Sequence, residues 1–92
     1  MKIYLVLLYS FASLAFAQNS PPKAALVCMS CHGEQGISAN DLWPNLAHQK
    51  RDYLIKQITA FKTGERKDPM MSPMAATLTK EDIEDIADFF SK

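Results

Sequence analysis

The chain has few of the residues and patterns that mark the common functional classes. Its 92 residues include only two cysteines and two histidines, and ten Lys and Arg balance ten Asp and Glu. A nucleic-acid-binding surface needs an excess of basic charge, so this balance argues against that class. The sequence also lacks the apolar–polar alternation of half-buried strands, an internal repeat and a low-complexity tract. These absences predict a small all-α protein.

The first 17 residues have the pattern of a secretory signal peptide. Lys2 supplies a short positive start, residues 3–16 form an apolar run, and Ala15 and Ala17 offer small residues for cleavage. The run is shorter than the ~20 apolar residues that a membrane-spanning helix needs, and no positive charge follows it directly. We therefore predict cleavage after Ala17, export, and no membrane span in the mature protein.

The predicted mature chain is short for a protein that folds on its own. Residues 18–22 are polar and rich in proline, which is typical of a flexible lead-in, so the folded domain is predicted to be 23–92. Below ~70–80 residues, apolar burial and chain entropy nearly cancel. A single domain of this length is expected to need a staple such as a disulfide, a metal or a cofactor.

Two helices are indicated in the first two thirds of the domain. Residues 23–31 can form a short helix, with Pro22 just before it or within its first turn. Residues 50–63 have apolar side chains at helical spacing, and Gly64 is placed to end that helix in a left-handed conformation.

The C-terminal segment has the clearest helix signals. Thr79 is predicted to be the N-cap, with Asp82 three residues later as the acid of a capping box. One apolar stripe follows at helical spacing. Its members are Ile83, Ile86, Ala87 and Phe90. Pro69 and Pro73 are expected to keep residues 65–78 from forming a continuous helix.

The two cysteines stand in the sequence CMSCH at residues 28–32. Cys-x-x-Cys-His is the attachment motif of haem c, in which each thiol forms a thioether with a vinyl group of the haem. Two intervening residues in a helical turn bring Cys28 and Cys31 to one edge of the ring, and His32 can then supply an imidazole to the iron. We predict one covalent haem c, whose apolar face also supplies the core that so short a chain lacks.

Other uses of two nearby cysteines fit the sequence less well. A thioredoxin-like redox pair expects a βαβ context, which this sequence does not have. A zinc site needs four ligands, and only His32 and His48 are available besides the cysteines. A disulfide between Cys28 and Cys31 would close a very small loop and stabilise the fold little.

Further stretches of sequence extend the pattern beyond the motif. They read CMSCHG, PNLAHQ, YLIKQ, FKTGER, MSPMAATL and EDIEDIADFF. Together they resemble the small class I c-type cytochromes of bacteria, in particular one-haem periplasmic cytochromes and each half of the related two-haem cytochromes. The resemblance runs from Cys28 to Phe90. His48 departs from it, because the family usually has glycine at this position.

The resemblance implies a fold of three to four helices wrapped around one haem, with the first and last helices crossing. It implies that His32 and a methionine are the axial ligands, and that the backbone carbonyl of Pro44 accepts a hydrogen bond from the histidine ring. It also implies a soluble periplasmic electron carrier rather than an enzyme. Such a carrier is a monomer that docks briefly, through its haem edge, with respiratory redox donors and acceptors.

Three methionines are candidates for the second axial ligand. Met74 opens an apolar pattern and is explained by core packing. Ser72 precedes a proline and is biased to an extended shape, in which Met70 and Met71 point in opposite directions. Physical reasoning does not choose between these two. The register of the resemblance selects Met71.

Several other residues have both a functional and an ordinary interpretation. His48 is a second imidazole ligand or, more simply, a surface histidine. Arg66 pairs with a haem propionate or is solvated. The last helix has acidic residues that form a docking patch or a solvated face: Glu81, Asp82, Glu84, Asp85 and Asp88. Side chains that contact the haem or simply fill the core are Trp43, Tyr53, Leu54, Ile58 and Phe61.

The sequence is also compatible with two other functions. A haem protein with an open sixth position would bind or sense a small gas, and would be five-coordinate and high-spin when reduced. A haem-bearing subunit would instead stay docked to an enzyme. Both keep the attachment through Cys28 and Cys31, so they differ from the carrier only at the iron and at the protein surface.

Overall fold

The computed structural model describes residues 20–92, which form a 3-10 turn and four α-helices. The 3-10 turn is Lys23–Ala25, followed by α1 (Leu26–His32), α2 (Arg51–Thr63), α3 (Met71–Ala76) and α4 (Lys80–Phe90). No strand occurs within these residues, so the predicted all-α fold of three to four helices is confirmed. The predicted signal peptide and its cleavage after Ala17 lie outside the described residues.

The first and last elements of the domain meet. Pro22 precedes the 3-10 turn in an extended conformation, and the turn continues directly into α1. The turn packs against α4, and Ala25 is completely buried there. The contact between the two ends is therefore made by the 3-10 turn, while Cys28 and Met29 of α1 pack against the same buried cluster.

Helix α2 lies between α3 and α4 and contacts both. Gly64 follows it in the left-handed conformation at φ 82°, as predicted from its position after the apolar stripe. At the other end of α2, Arg51 forms an ion pair with Asp88 of α4. Both side chains are largely exposed, so the pair contributes little to stability.

Helix α4 begins with the predicted capping box. The Thr79 hydroxyl accepts from the Asp82 amide at 3.0 Å, and the Asp82 carboxylate accepts from the Thr79 amide at 2.9 Å. These reciprocal bonds satisfy donors that the first turn of a helix leaves free. All four members of the predicted apolar stripe on α4 are buried.

The buried core is small. Among residues 20–92, seven hydrophobic residues are buried, and three of them are alanines. The larger ones are Leu54, Ile83, Ile86 and Phe90. Four large side chains are few for a domain of this length, which agrees with the expectation that the chain needs a staple.

Helix α3 corrects the expectation for the methionine segment. Ser72 was expected to be extended, but its amide donates to the Asp68 carbonyl at 3.0 Å, and residues Met71–Ala76 are helical. Pro73 is the third residue of this helix. A proline is tolerated there because an amide in the first turn would have no acceptor within the helix. Met70 and Met71 therefore do not alternate as in a strand.

Candidate haem-attachment site

The two thiols of the motif lie on α1, three residues apart. Both are free and half-buried. The Cys28 thiol lies 3.9 Å from the Ala24 carbonyl, which is within reach of a weak S–H hydrogen bond. Burial raises the pKa of the Cys28 thiol, so the group is neutral at pH 7. A single helical segment thus carries two free thiols one turn apart, as attachment to one edge of a ring requires.

His32 is the last residue of α1 and is buried. Its Nδ1 lies 2.7 Å from the backbone carbonyl of Pro44. A carbonyl can only accept, so Nδ1 carries a proton, and Nε2 is the ring nitrogen left for another partner. This arrangement fixes the tautomer and orients the ring, which is the same kind of hydrogen bond that orients histidines in metal sites. The predicted bond between His32 and Pro44 is confirmed.

The Pro44 carbonyl is positioned by a loop that folds back on Gly36. The Gly36 carbonyl accepts from the amides of Leu46 at 2.8 Å and Ala47 at 3.0 Å. Gly36 itself has φ 77°, and a Cβ there would lie 2.7 Å from the Ala47 nitrogen and 2.8 Å from the Phe90 ring. Only glycine fits this approach without displacing backbone. The loop that holds the histidine therefore rests on the end of α4.

The three candidate methionines differ in exposure. Met70 is 53% exposed, whereas Met71 and Met74 are half-buried. Met71 is the first residue of α3 and Met70 is its N-cap. These positions make Met71 a better candidate than Met70 for a side chain that must leave water. They do not show which sulfur binds iron, so the choice of Met71 stays a prediction.

Two residues that sequence reasoning missed hold α3 at its ends. The Asp68 carboxylate accepts from the amides of Met70 and Met71, each at 2.8 Å. These amides hold the pKa of Asp68 below its usual range, with the Met71 bond as the larger cause. At the other end, the Lys62 ammonium donates to the carbonyls of Ala76, at 3.3 Å, and Leu78. An aspartate shortly before a short apolar segment is a helix-start signal that could have revealed Asp68.

His48 is exposed and has φ 65°, a positive value that is rare for a residue other than glycine. Its amide donates to the Phe90 carbonyl at 3.3 Å. The backbone conformation gives a physical reason for glycine at this position in the family that the sequence resembles. The backbone conformation gives no support to the interpretation of His48 as an iron ligand.

Replacing His48 by glycine is expected to raise stability and leave the visible spectrum unchanged. The left-handed conformation costs an ordinary residue ~1–2 kcal/mol, of which the greater flexibility of unfolded glycine offsets ~0.5–1 kcal/mol. A gain of ~0.5–1 kcal/mol should raise Tm by a few degrees. His48→Ala is the matched control, because it removes the imidazole but keeps the strain. Loss of the low-spin spectrum in both variants would contradict the prediction and restore the bis-histidine interpretation.

The remaining candidates are placed as follows. The Arg66 guanidinium lies 4.6 Å from the centre of the Phe61 ring and donates to Gln57 at 2.8 Å, so it rests against α2. An ion pair between Arg66 and a haem propionate stays a prediction. Candidates that are buried or half-buried are Trp43, Leu54, Ile58 and Phe61, whereas Tyr53 is exposed. Of the acidic residues of α4, Asp82 serves the capping box and Asp88 pairs with Arg51.

Two other uses of the cysteines, a zinc site and a disulfide, find no support in the described part of the chain. No group of three or more His, Cys, Asp or Glu side chains in residues 20–92 is arranged to hold a metal ion by itself. Both cysteines there are free thiols. Over the same residues, none of the helices has the length and apolar character to cross a membrane.

Three features indicate the class of protein: the two thiols, the buried imidazole with its fixed tautomer and the small helical core. They are typical of small helical proteins that attach haem through thioethers. A sequence model of the family Cytochrome c matches residues 23–92. The chain therefore belongs to the cytochrome c family. It is a class I c-type cytochrome, whose cofactor is covalently attached haem c.

Individual relatives agree with this family. The chain is 40% identical over 74 residues to cytochrome c4 of Thiocapsa roseopersicina, covering 80% of this chain and 38% of that protein. It is 42% identical over 67 residues to cytochrome c-554(548) of Halomonas halodenitrificans, covering 70% of this chain and 81% of that protein. The solved structure of Acidithiobacillus ferrooxidans cytochrome c4 matches with a TM-score of 0.67 and 33% identity, covering 82% of this chain and 41% of that chain.

The chain spans about two fifths of the length of these cytochrome c4 relatives, at 38% and 41%. The predicted resemblance to one half of the two-haem cytochromes is confirmed by these matches. Because more than half of each of these two cytochrome c4 proteins lies outside the match, the activity and partners of the whole relatives do not transfer directly to this chain.

Proposed function

We propose that the protein is a periplasmic electron carrier with one haem, which Cys28 and Cys31 would attach and whose iron His32 and Met71 would bind. The observation that supports this most directly is the 2.7 Å bond from His32 Nδ1 to the Pro44 carbonyl. It leaves Nε2 as the nitrogen available to a metal, in a buried and oriented imidazole directly after the attachment motif. An imidazole in that state is what haem iron binds in c-type cytochromes.

When bound, the haem supplies a one-electron couple between Fe(II) and Fe(III). The chain's own residues adapt the site to that couple. The bond to Pro44 would hold the His32 ring in one orientation toward the iron. The Met71 sulfur is a neutral, soft ligand that suits both oxidation states and shifts the potential upward. The proposed role is transport of electrons rather than enzymatic catalysis.

The proposed partners are redox proteins of a respiratory chain, which a monomeric carrier meets one at a time. Export by the predicted signal peptide would place these encounters in the periplasm. Electron-transfer complexes bury small interfaces and separate quickly. The near-balance of charge over the chain gives no strong attraction toward nucleic acid or toward a partner of one sign.

Visible spectra of the purified protein in both oxidation states test the proposed coordination. A carrier with His32 and Met71 as ligands is expected to be six-coordinate and low-spin when oxidised and when reduced. A gas-binding protein would be five-coordinate and high-spin when reduced, and would take up carbon monoxide without displacing a protein ligand. A high-spin reduced spectrum would refute the carrier proposal while leaving covalent attachment intact.

A further inference from the structure

The segment that carries the proposed axial methionine is held by a set of hydrogen bonds centred on Asp68. Its carboxylate oxygen Oδ2 accepts from the amides of Met70 and Met71, both at 2.8 Å. Its own amide donates to the Ser72 hydroxyl at 2.9 Å, and its carbonyl accepts from the Ser72 amide at 3.0 Å. Four bonds thus join Asp68 to three consecutive residues, with Met71 in the middle.

Nothing else in the short helix can supply this restraint at its start. Helix α3 has six residues, and its N-cap, Met70, has no side-chain acceptor for the free amides of the first turn. A helix this short is unstable in isolation, because nucleation is costly and few backbone bonds follow. Besides the two Ser72 bonds to the Asp68 main chain, the restraint on the Met71 backbone at the helix start therefore comes from the group that binds its amide. That group is the Asp68 carboxylate.

We propose that Asp68 is a positioning residue for the axial methionine. By fixing the Met70 and Met71 amides, its carboxylate keeps the Met71 sulfur available to the iron and opposes its replacement by other ligands. This inference rests on the proposed ligation by Met71. It assigns Asp68 a role that acts through the backbone, without contact to the haem.

The strength of methionine ligation can be measured by competition with imidazole added to the oxidised protein. Imidazole binds the iron only when the methionine leaves, so its apparent affinity reports how firmly the methionine is held. Asp68→Ala is expected to increase imidazole affinity by about tenfold, as loss of charge-assisted hydrogen bonds at a partly exposed site predicts. Asp68→Asn keeps an acceptor oxygen and should restore most of the difference.

The matched control is Asp82→Ala. Asp82 caps α4 in a similar way, through the Thr79 amide at 2.9 Å, but holds no candidate ligand. Its removal should lower the thermal stability and leave imidazole affinity within about twofold of the original, since sites without shared partners act independently. An equal increase of affinity in Asp82→Ala would overturn the inference, because general destabilisation would then explain the result.

A double-mutant cycle separates this inference from the proposed function. If Asp68 acts through Met71, Asp68→Ala should have no effect on imidazole affinity in a protein that already carries Met71→Ala. If Met71→Ala keeps the spectrum of methionine ligation, the proposed ligand is wrong. If Met71→Ala loses that spectrum but Asp68→Ala binds imidazole as the original protein does, the ligand stands and only the role of Asp68 is overturned.

Discussion

Met71→Ala is expected to abolish the weak far-red absorption band that oxidised c-type cytochromes show when methionine ligates the haem. It should also lower the reduction potential by on the order of 0.1 V, a fraction of the ~0.8 V range that axial ligands span. The reason is that a soft, neutral sulfur favours Fe(II), whereas water or another oxygen ligand favours Fe(III). Absorption spectroscopy and a redox titration of the same sample measure both effects.

Met70→Ala and Met74→Ala are the controls for this experiment, because both residues lie in the same segment. Met70 is 53% exposed and Met74 is half-buried within α3. Both variants should keep the band, although Met74→Ala is expected to lose some stability through lost packing. Survival of the band in Met71→Ala together with its loss in Met70→Ala would show that the register of the segment is wrong by one residue.

Replacing Cys28 and Cys31 together by alanine should leave the chain largely unfolded. Residues 20–92 bury only seven hydrophobic residues, three of them alanines, so the polypeptide alone is expected to have an unfolding free energy near zero. The original protein should show, after denaturation, the mass of residues 18–92 plus one haem. The double variant should show the bare polypeptide mass and little helical circular dichroism.

Ser30→Ala is the matched control for the cysteine variant. Ser30 lies between the two cysteines, is exposed, and donates only to the Val27 carbonyl at 2.6 Å. This variant should keep both the added mass and the helical signal. A denatured original protein with the bare polypeptide mass, or a double variant that folds as well as the original, would contradict covalent attachment as the source of stability.

The parts of the fold that the sequence predicted are those determined by neighbouring residues. The Thr79 and Asp82 box depends on two side chains three residues apart, and the left-handed end of α2 depends on Gly64. The stripe on α4 depends on helical spacing alone. Local rules suffice in these cases because each interaction closes within one helical turn.

The bond from His32 to Pro44 was predicted by a different route. The two residues are 12 positions apart, and no local rule connects them. The resemblance to c-type cytochromes supplied the pairing, and the structure supplied its geometry. The turn at Gly36 explains how the loop that carries Pro44 is held in place. Gly36 lies close to Ala47 and Phe90, and only the tertiary structure shows this contact.

The methionine segment shows where the sequence was misleading. Two prolines suggested an extended loop, yet Pro73 falls in the first turn of α3, where a missing amide costs nothing. The bonds from Asp68 to the Met70 and Met71 amides then favour a helix start over the extended shape. The effect of a proline depends on its position relative to the helix start, and here that start depends on the amides that Asp68 binds.

The packing of the 3-10 turn on α4 also has a consequence for the order of folding. Ala25 and Ala87 belong to one buried cluster but are about 60 residues apart, and closing a segment of that length costs ~4 kcal/mol of chain entropy. Helices α2, α3 and α4 follow one another along the chain and associate over shorter loops. We therefore expect the N-terminal turn to dock last when the haem-bound chain folds, after α2, α3 and α4 have associated.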